Sequence, residues 1–476
     1  MMKMIMKKIC LIIMVSLMLL YTAACSSASR NGATLPDTTA GSLTGAAAGT
    51  APAALGTGEG KAAALDMGKD DNTRITVASS NPRNRFLETA VKKFCEINPG
   101  IVVEIKQYTE MGETYTRKAE DGSMIAVGKK TDPSGEKYTK TLSAEMMAGT
   151  GPDVIDTFYI PCAKFADNGF LCDMEKFIEQ DAEFDRNCYY GNILDAVKYK
   201  GGLFTMPLGF LADTLAGKFG LPSGACTDSL TLDDFFRLAG ESLKTHGVDG
   251  TYVLNTSEVE LFLTLFQGHY NSFVSEESKK CDFTSGEFVS LIKQVKDAAD
   301  KKLIFREGEN PTSYEKWESL YYLMLSNYDS NSLAYYLGSK GENNVYDMPS
   351  PDGKSGIGAD VFMEYGINSN SKSKGAAWKF IKFLISEEMQ TSPEFFLFPL
   401  NKEAMTAKIE RERKAVPGNA LSADSPIFTN ISVYPKKNWQ VFKIVEEETR
   451  KYFEGQRSAE DTAGAIQGRV DMMIKE

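Results

Sequence analysis

Three apolar patterns follow one another along the 476-residue chain. An unbroken apolar block, Ile9 to Leu20, comes after Lys3, Lys7 and Lys8 and leads into Thr22-Ala23-Ala24-Cys25. Positive charge, apolar core and small residues in that order predict a secretory signal peptide over residues 1–24. From Ile9 to Ala24 there are 16 residues, fewer than the roughly 20 that a helix needs to cross a bilayer. The second pattern, residues 25–73, is nearly free of large apolar side chains. It is built from Ala, Gly, Thr and Ser with Pro36 and Pro52, so it cannot bury enough surface to offset its ordering entropy. It predicts a disordered tether with a reach of about 40 Å.

The third pattern fills the body, Arg74 to Glu476, where short β-branched runs alternate with amphipathic segments. Ile75-Thr76-Val77-Ala78 is followed by Phe86, Leu87, Ala90, Val91 and Phe94, which share one face of a helix. Asn98-Pro99-Gly100 ends that helix, and Ile101 to Ile105 begins a second strand. This is a βαβ unit and implies a parallel sheet covered by helices. A helix around Tyr138 to Met147 runs into Gly149-Thr150-Gly151-Pro152, and Val154 to Phe158 reads as a buried strand. Ala376, Ala377, Phe380, Ile381 and Leu384 mark a later helical face. Ser458-Ala459-Glu460-Asp461 is a capping pattern ahead of Ala463, Ile466, Val470 and Met473. The fold class is α/β. In such sheets ligands bind at the carboxyl ends of the strands, which points to Ser79-Ser80-Asn81 and Thr157-Phe158-Tyr159.

A body of about 400 residues is expected to split into two domains. The formal charge is −11. Removing the three signal lysines takes it to about −14, which argues against nucleic acid as a partner. Beyond Cys10 and Cys25 six cysteines remain: Cys95, Cys162, Cys172, Cys188, Cys226 and Cys281. No CxxC pair exists, and with only His246 and His269 no zinc spacing can be assembled, so no metal and no cofactor is implied. An exported chain can form disulfides, Cys162 and Cys172 being the closest pair, or keep buried thiols; spacing leaves both open. No HExxH or GxSxG is present. A secreted glycan-active enzyme using two of the 64 acidic residues remains as the rival class.

Small residues before Cys25 with Ser26-Ser27 after it resemble the lipobox of bacterial lipoproteins, although Thr22 stands where Leu is usual. The resemblance implies a chain cut before Cys25, lipidated there and anchored on the extracytoplasmic face of the cell membrane. The body resembles family 1 extracellular solute-binding proteins, the maltose-binding protein group. That resemblance rests on Ile75 to Gly100, Met147 to Val154 with its Gly-x-Gly-Pro-Asp, Leu203 to Leu208, Thr231 to Phe235, and Tyr365 to Ser371 with the helix after it. Leu232 replaces the family's Trp. Thr109 to Lys137 is longer and more polar than is usual there, and its four glycines suggest a hairpin or loop.

The resemblance implies a two-lobed Venus-flytrap fold crossed three times by the chain. Lobe 1 would be 74–208 plus 363–397, and lobe 2 would be 209–362 plus 398–476. It implies capture of a solute, most often a sugar or oligosaccharide, for delivery to ABC permease subunits driven by a separate ATPase, with no catalysis. A sensor subunit for a membrane receptor would use the same binding chemistry. The implied ligand residues are Ser80, Asn81, Phe158 and Tyr159 on the first lobe, facing Asn327, Tyr328, Asp329 and Trp439. Trp317 and Trp378 are assigned to packing.

Overall fold

The computed structural model describes residues 73–475 except 82–83, 119–123, 131–134, 218–219, 223–229, 249–251, 310–321, 328–343, 347, 350–357, 415–420, 430 and 435–437. Along the chain, β1 (Thr73–Ser79), α1 (Arg85–Ile97) and β2 (Ile101–Gln107) form the expected βαβ unit, with β1 and β2 parallel and Ile75 beside Val103. Asn84 starts α1 by accepting from the Leu87 amide at 3.0 Å, and Phe86, Leu87, Ala90 and Phe94 are buried along one face. β3 (Met111–Lys118) and β4 (Met124–Lys130) pair antiparallel, Tyr115 opposite Val127, within a compact unit of their own. The long polar insertion is therefore a hairpin.

The chain continues through α2 (Glu136–Met147), β5 (Val154–Asp156) and the 12-residue β6 (Met206–Gly217). Two helices follow, α3 (Leu232–Thr245), capped by Thr231, and α4 (Glu258–Gly268), capped by Ser257. Next come the hairpin of β7 (Val274–Ser275) and β8 (Lys280–Cys281), then β9 (Tyr322–Asn327), β10 (Asn344–Tyr346) and β11 (Gly358–Ile367). The last elements are α5 (Lys374–Leu384), β12 (Phe398–Pro399), β13 (Ser432–Val433), α6 (Trp439–Phe453) and α7 (Ala459–Lys475). Ser458 caps α7, accepting from the Asp461 amide at 3.0 Å as its sequence pattern predicts. Among the described residues no helix is long and apolar enough to cross a membrane.

The main sheet has the order β10-β6-β11-β5-β1-β2, with β9 and β12 also on β6 and β13 on β11. It is mixed and not parallel throughout. β1 lies parallel to β2 and β5, whereas β11 runs antiparallel to both β5 and β6. β6 carries the chain out and β11 brings it back alongside, so β11 runs opposite to β6 and, on its other edge, to β5. The Gly-Pro-Asp motif now has a structural cause. The Asp153 carboxylate accepts from the Thr76 amide (2.8 Å) and hydroxyl (3.0 Å) and from the Ser371 hydroxyl (2.6 Å). Asn368 donates to the Pro152 carbonyl at 2.9 Å. One turn thus ties β1 to the segment leaving β11.

Burial separates the core. One cluster contains Ile75, Phe94, Phe210, Tyr365 and Trp378, and a smaller one beside β5 holds Tyr138, Leu142 and Ile155. Another, rich in phenylalanine, contains Leu215, Phe262, Phe266, Phe288, Val445 and Ile466. β6 leaves the first among Met206, Leu208 and Phe210 and enters the last at Leu215. The expected second-lobe stretch 398–476 divides between them: Phe398, Leu400, Met405, Phe428 and Ile431 pack in the first cluster, and Val441 onward in the last. The reason lies at Gly209, where a Cβ would stand 2.6 Å from the Phe398 carbonyl oxygen. A bare backbone there lets β12 close on β6, Phe398 opposite Phe210. Trp378 is fully buried, its indole N–H donating to Asp181 at 2.8 Å, as its packing assignment requires; Trp317 lies outside the described residues. Cys172 keeps a free thiol, so the pairing with Cys162 is not made, and Cys226 lies outside the described residues.

Candidate functional site

The site begins at a buried carboxylate. Asp156, the last residue of β5, accepts from the Ser80 amide (3.0 Å) and hydroxyl (2.5 Å) and from the Phe158 amide (3.1 Å). The Tyr138 hydroxyl of α2 donates to the Asp156 carbonyl. Burial above all, with the Asp156 charge beside it, pushes the Tyr138 phenol well above its ordinary pKa and keeps it a donor. The ends of β1 and β5 are fixed together, and the chain turns out of the sheet at Phe158 and Tyr159. Their rings meet edge to face at 4.8 Å, and Phe362 of β11 stacks on Phe158 at 5.3 Å.

From the other side comes the start of α6. Asn438 caps it, its side-chain oxygen accepting from the Gln440 (3.2 Å) and Val441 (3.4 Å) amides. Trp439 is the first helical residue, and its ring lies 5.3 Å from Phe158 and 5.4 Å from Tyr159. Its indole N–H donates to the Phe158 carbonyl at 3.1 Å. Val441 and Phe442 root this helix in the phenylalanine-rich cluster, while Tyr159 packs on the small cluster beside β5. The three rings therefore close a contact between separate cores.

Beside that contact is a shallow, solvent-open depression, walled by Tyr159 and Trp439 and edged by Glu136, Thr139, Asn438, Gln440 and Lys443. Lys443, one turn beyond Trp439, reaches Glu136 at 3.6 Å, and Glu136 also pairs with Lys140 at 2.8 Å. The hydrogen bond from Lys140, its charge and then that of Lys443 hold the Glu136 carboxyl below the usual carboxylate range. Both partners of the Glu136–Lys443 pair are about half exposed, so solvent screens it strongly. Aromatic faces flanked by amides, a hydroxyl and a paired carboxylate suit a solute with an apolar face and hydroxyl edges. A flat solute sandwiched between two rings needs about 7–8 Å, two contacts of 3.5–4.0 Å. At 5.3–5.4 Å, Trp439 must part from its partners before anything enters between them.

Of the residues expected at the site, Phe158, Tyr159 and Trp439 come together. Ser80 is buried and its hydroxyl is committed to Asp156, so it shapes the turn from beneath. Asn81 follows it, its carbonyl accepting from the Ser79 hydroxyl at 2.9 Å. Asn327 ends β9 opposite Ala212 of β6. Tyr328, Asp329 and Cys25 lie outside the described residues. Sequence reasoning missed Glu136, Thr139, Phe362, Asn438, Gln440 and Lys443. Asn438 could have been found, because an Asn ahead of the periodic Val441, Phe442 and Val445 is a cap signal. The i,i+4 spacing of Trp439 and Lys443 places them on one helix face. Phe362 carried no local signal, since only the fold brings it to Phe158.

The family model for bacterial extracellular solute-binding proteins matches residues 78–391. The fold is similar to that of an ABC substrate-binding protein from Listeria monocytogenes in complex with cycloalternan. Identity is 18% and TM-score 0.55, covering 85% of this chain and 100% of that one. The sugar-binding protein MalE from the phytopathogen Xanthomonas citri is similar at 15% identity and TM-score 0.59, covering 85% of this chain and 98% of that one. Maltose-bound MalE3 of T. maritima is similar at 20% identity and TM-score 0.51, covering 84% and 100%. No curated protein matches.

The geometry separates two nearby substitutions. Asn438→Ala removes a helix cap and lowers unfolding stability by about 1 kcal/mol, whereas Lys443→Ala breaks a screened ion pair and leaves stability nearly unchanged. Chemical denaturation of both variants checks this; a larger loss in Lys443→Ala would contradict the assignment.

Proposed function

We propose that this chain, which belongs to the bacterial extracellular solute-binding protein family, captures a saccharide between two lobes and hands it to an ABC permease. The observation that carries the reading is the meeting of Trp439, rooted in one core, with Phe158 and Tyr159, rooted in another, beside a polar-edged depression. A pyranose presents an apolar C–H face to stack on such rings and hydroxyls for amides and carboxylates. The sugar-binding neighbours in the comparison point the same way. The lobes divide along the core clusters: the chain leaves the first between Ala212 and Leu215 of β6, is back in it at Ala359 of β11, and crosses a third time between β13 and α6. Solute that touches both lobes favours the closed arrangement by its differential affinity. The chain binds and does not catalyse; transport energy comes from a separate ATPase.

Export and lipidation at Cys25 complete the proposal, motivated by the charged, apolar and small-residue order of residues 3–25. Mass spectrometry of the mature protein is expected to find its N-terminus at a diacylglycerol-bearing Cys25. An unmodified terminus elsewhere would refute the anchor and leave the binding reading standing.

The binding reading is tested by thermal denaturation with a panel of mono- and oligosaccharides, amino acids, peptides and polyamines. At a hundredfold excess over its dissociation constant a ligand stabilises the folded state by about 2.7 kcal/mol. At least one saccharide is expected to raise the melting temperature, and that rise should disappear in Trp439→Ala. Stabilisation only by amino acids, peptides or polyamines would overturn the saccharide assignment.

A further inference from the structure

Trp439 is not held by its indole contacts alone. It is the first residue of α6, so its placement is set by whatever fixes the residue before it. Asn438 has one side-chain oxygen and one NH2 group. The oxygen is spent on the Gln440 and Val441 amides, which turns the NH2 away from the helix and in need of an acceptor. Glu276, in the turn between β7 and β8, supplies it: Oε1 accepts from Asn438 Nδ2 at 3.0 Å. The same oxygen accepts from the Tyr270 hydroxyl at 2.9 Å. Tyr270 is only 3% exposed and stacks on Phe442 of α6 at 6.0 Å, with 20° between the planes. Burial above all, then the Glu276 charge, raises the Tyr270 phenol well above its ordinary pKa, so it remains a donor. A rigid aromatic deep in one core is thus wired through a carboxylate to the cap on which Trp439 sits.

We propose that Glu276 is a positioning residue for Trp439, acting through Asn438 and never touching solute. The inference rests on the reading of Trp439 as a wall of the saccharide site. Hydrogen bonds to a charged acceptor are about twice as strong as neutral ones. Without the carboxylate, the Asn438 amide is free to turn and release its cap, and the first turn of α6 loosens with its indole.

The chain has three tryptophans, and the emission of Trp439 is obtained as the difference between a protein and the same protein carrying Trp439→Phe. Glu276→Ala is expected to shift that emission to the red and to raise the dissociation constant for maltotriose up to about tenfold, the equivalent of one aromatic contact. Glu276→Gln keeps an acceptor oxygen and is expected to restore both. Asn438→Asp keeps the cap but sets two carboxylates against each other, and should move the emission as Glu276→Ala does. Combining it with Glu276→Gln exchanges donor and acceptor and should return the emission to that of the unaltered protein. A merely structural glutamate would not give this rescue. An unmoved emission in Glu276→Ala, a Gln variant as perturbed as Ala, or no rescue in the double variant would overturn the proposal. Should Glu276→Ala fail to fold, the Asn438→Asp pair decides it alone. If no saccharide binds any of the proteins, the saccharide reading fails, while the emission still decides the positioning role.

Discussion

The pairing of β6 with β11 is the constraint on which the rest depends. These strands run antiparallel from Met206 opposite Tyr365 to Asp213 opposite Gly358; the paired stretch packs in the first cluster, and β6 runs on to Leu215 in the phenylalanine-rich one. A body of this size cannot fold around one core, so it must be joined by a few strands that leave one core and enter another. At Met363 the backbone takes a positive φ of 54°, and the register passes from Phe362 opposite Gly209 to Glu364 opposite Pro207. Positive φ is sterically unfavourable for a residue with a Cβ, and it falls between the Phe362 and Glu364 pairs of this ladder.

Two aspartates convert that scaffold into a site. Asp153 pins the start of β5 to β1 and to the segment beyond β11, and Asp156 pins its end to Ser80 and Phe158. Carboxylates withdrawn from water need hydrogen-bond donors, and buried Asp156 and half-buried Asp153 each accept from three. The half-buried rings of Phe158 and Tyr159 are held from below, which leaves them available to Trp439. In the proposed site the aromatic faces are positioned by polar contacts beneath them and not by the rings alone.

Much of the scaffold was legible in the sequence, for local reasons. The βαβ unit, the cap at Ser458 and the helical face of Ala376 to Leu384 all follow from periodicity and cap chemistry within a dozen residues. The antiparallel return of β11 and the packing of 398–431 into the first cluster were not legible, because both depend on contacts between distant segments, such as Phe398 at Gly209. At the site the same division holds. Phe158 and Tyr159 followed from the rule that ligands gather at strand ends. Ser80 followed from the same rule, yet its hydroxyl turned inward to a carboxylate that sequence could not place. Asn438 was overlooked although its cap pattern was present; Phe362 had no local pattern to reveal it.

The indole of Trp439 stands against Phe158 and Tyr159 at a spacing too short for a sandwiched sugar. Solute binding then exchanges aromatic contacts within the protein for contacts with the solute, and affinity reflects the difference between the two. A crystal structure with the best-stabilising saccharide bound is the most direct test of that account. It predicts a sugar ring stacked on Trp439, with Phe158 and Tyr159 displaced from the indole and hydroxyls within reach of Glu136, Asn438 or Gln440. A saccharide bound elsewhere, with the Trp439 contact to Phe158 and Tyr159 intact, would contradict it.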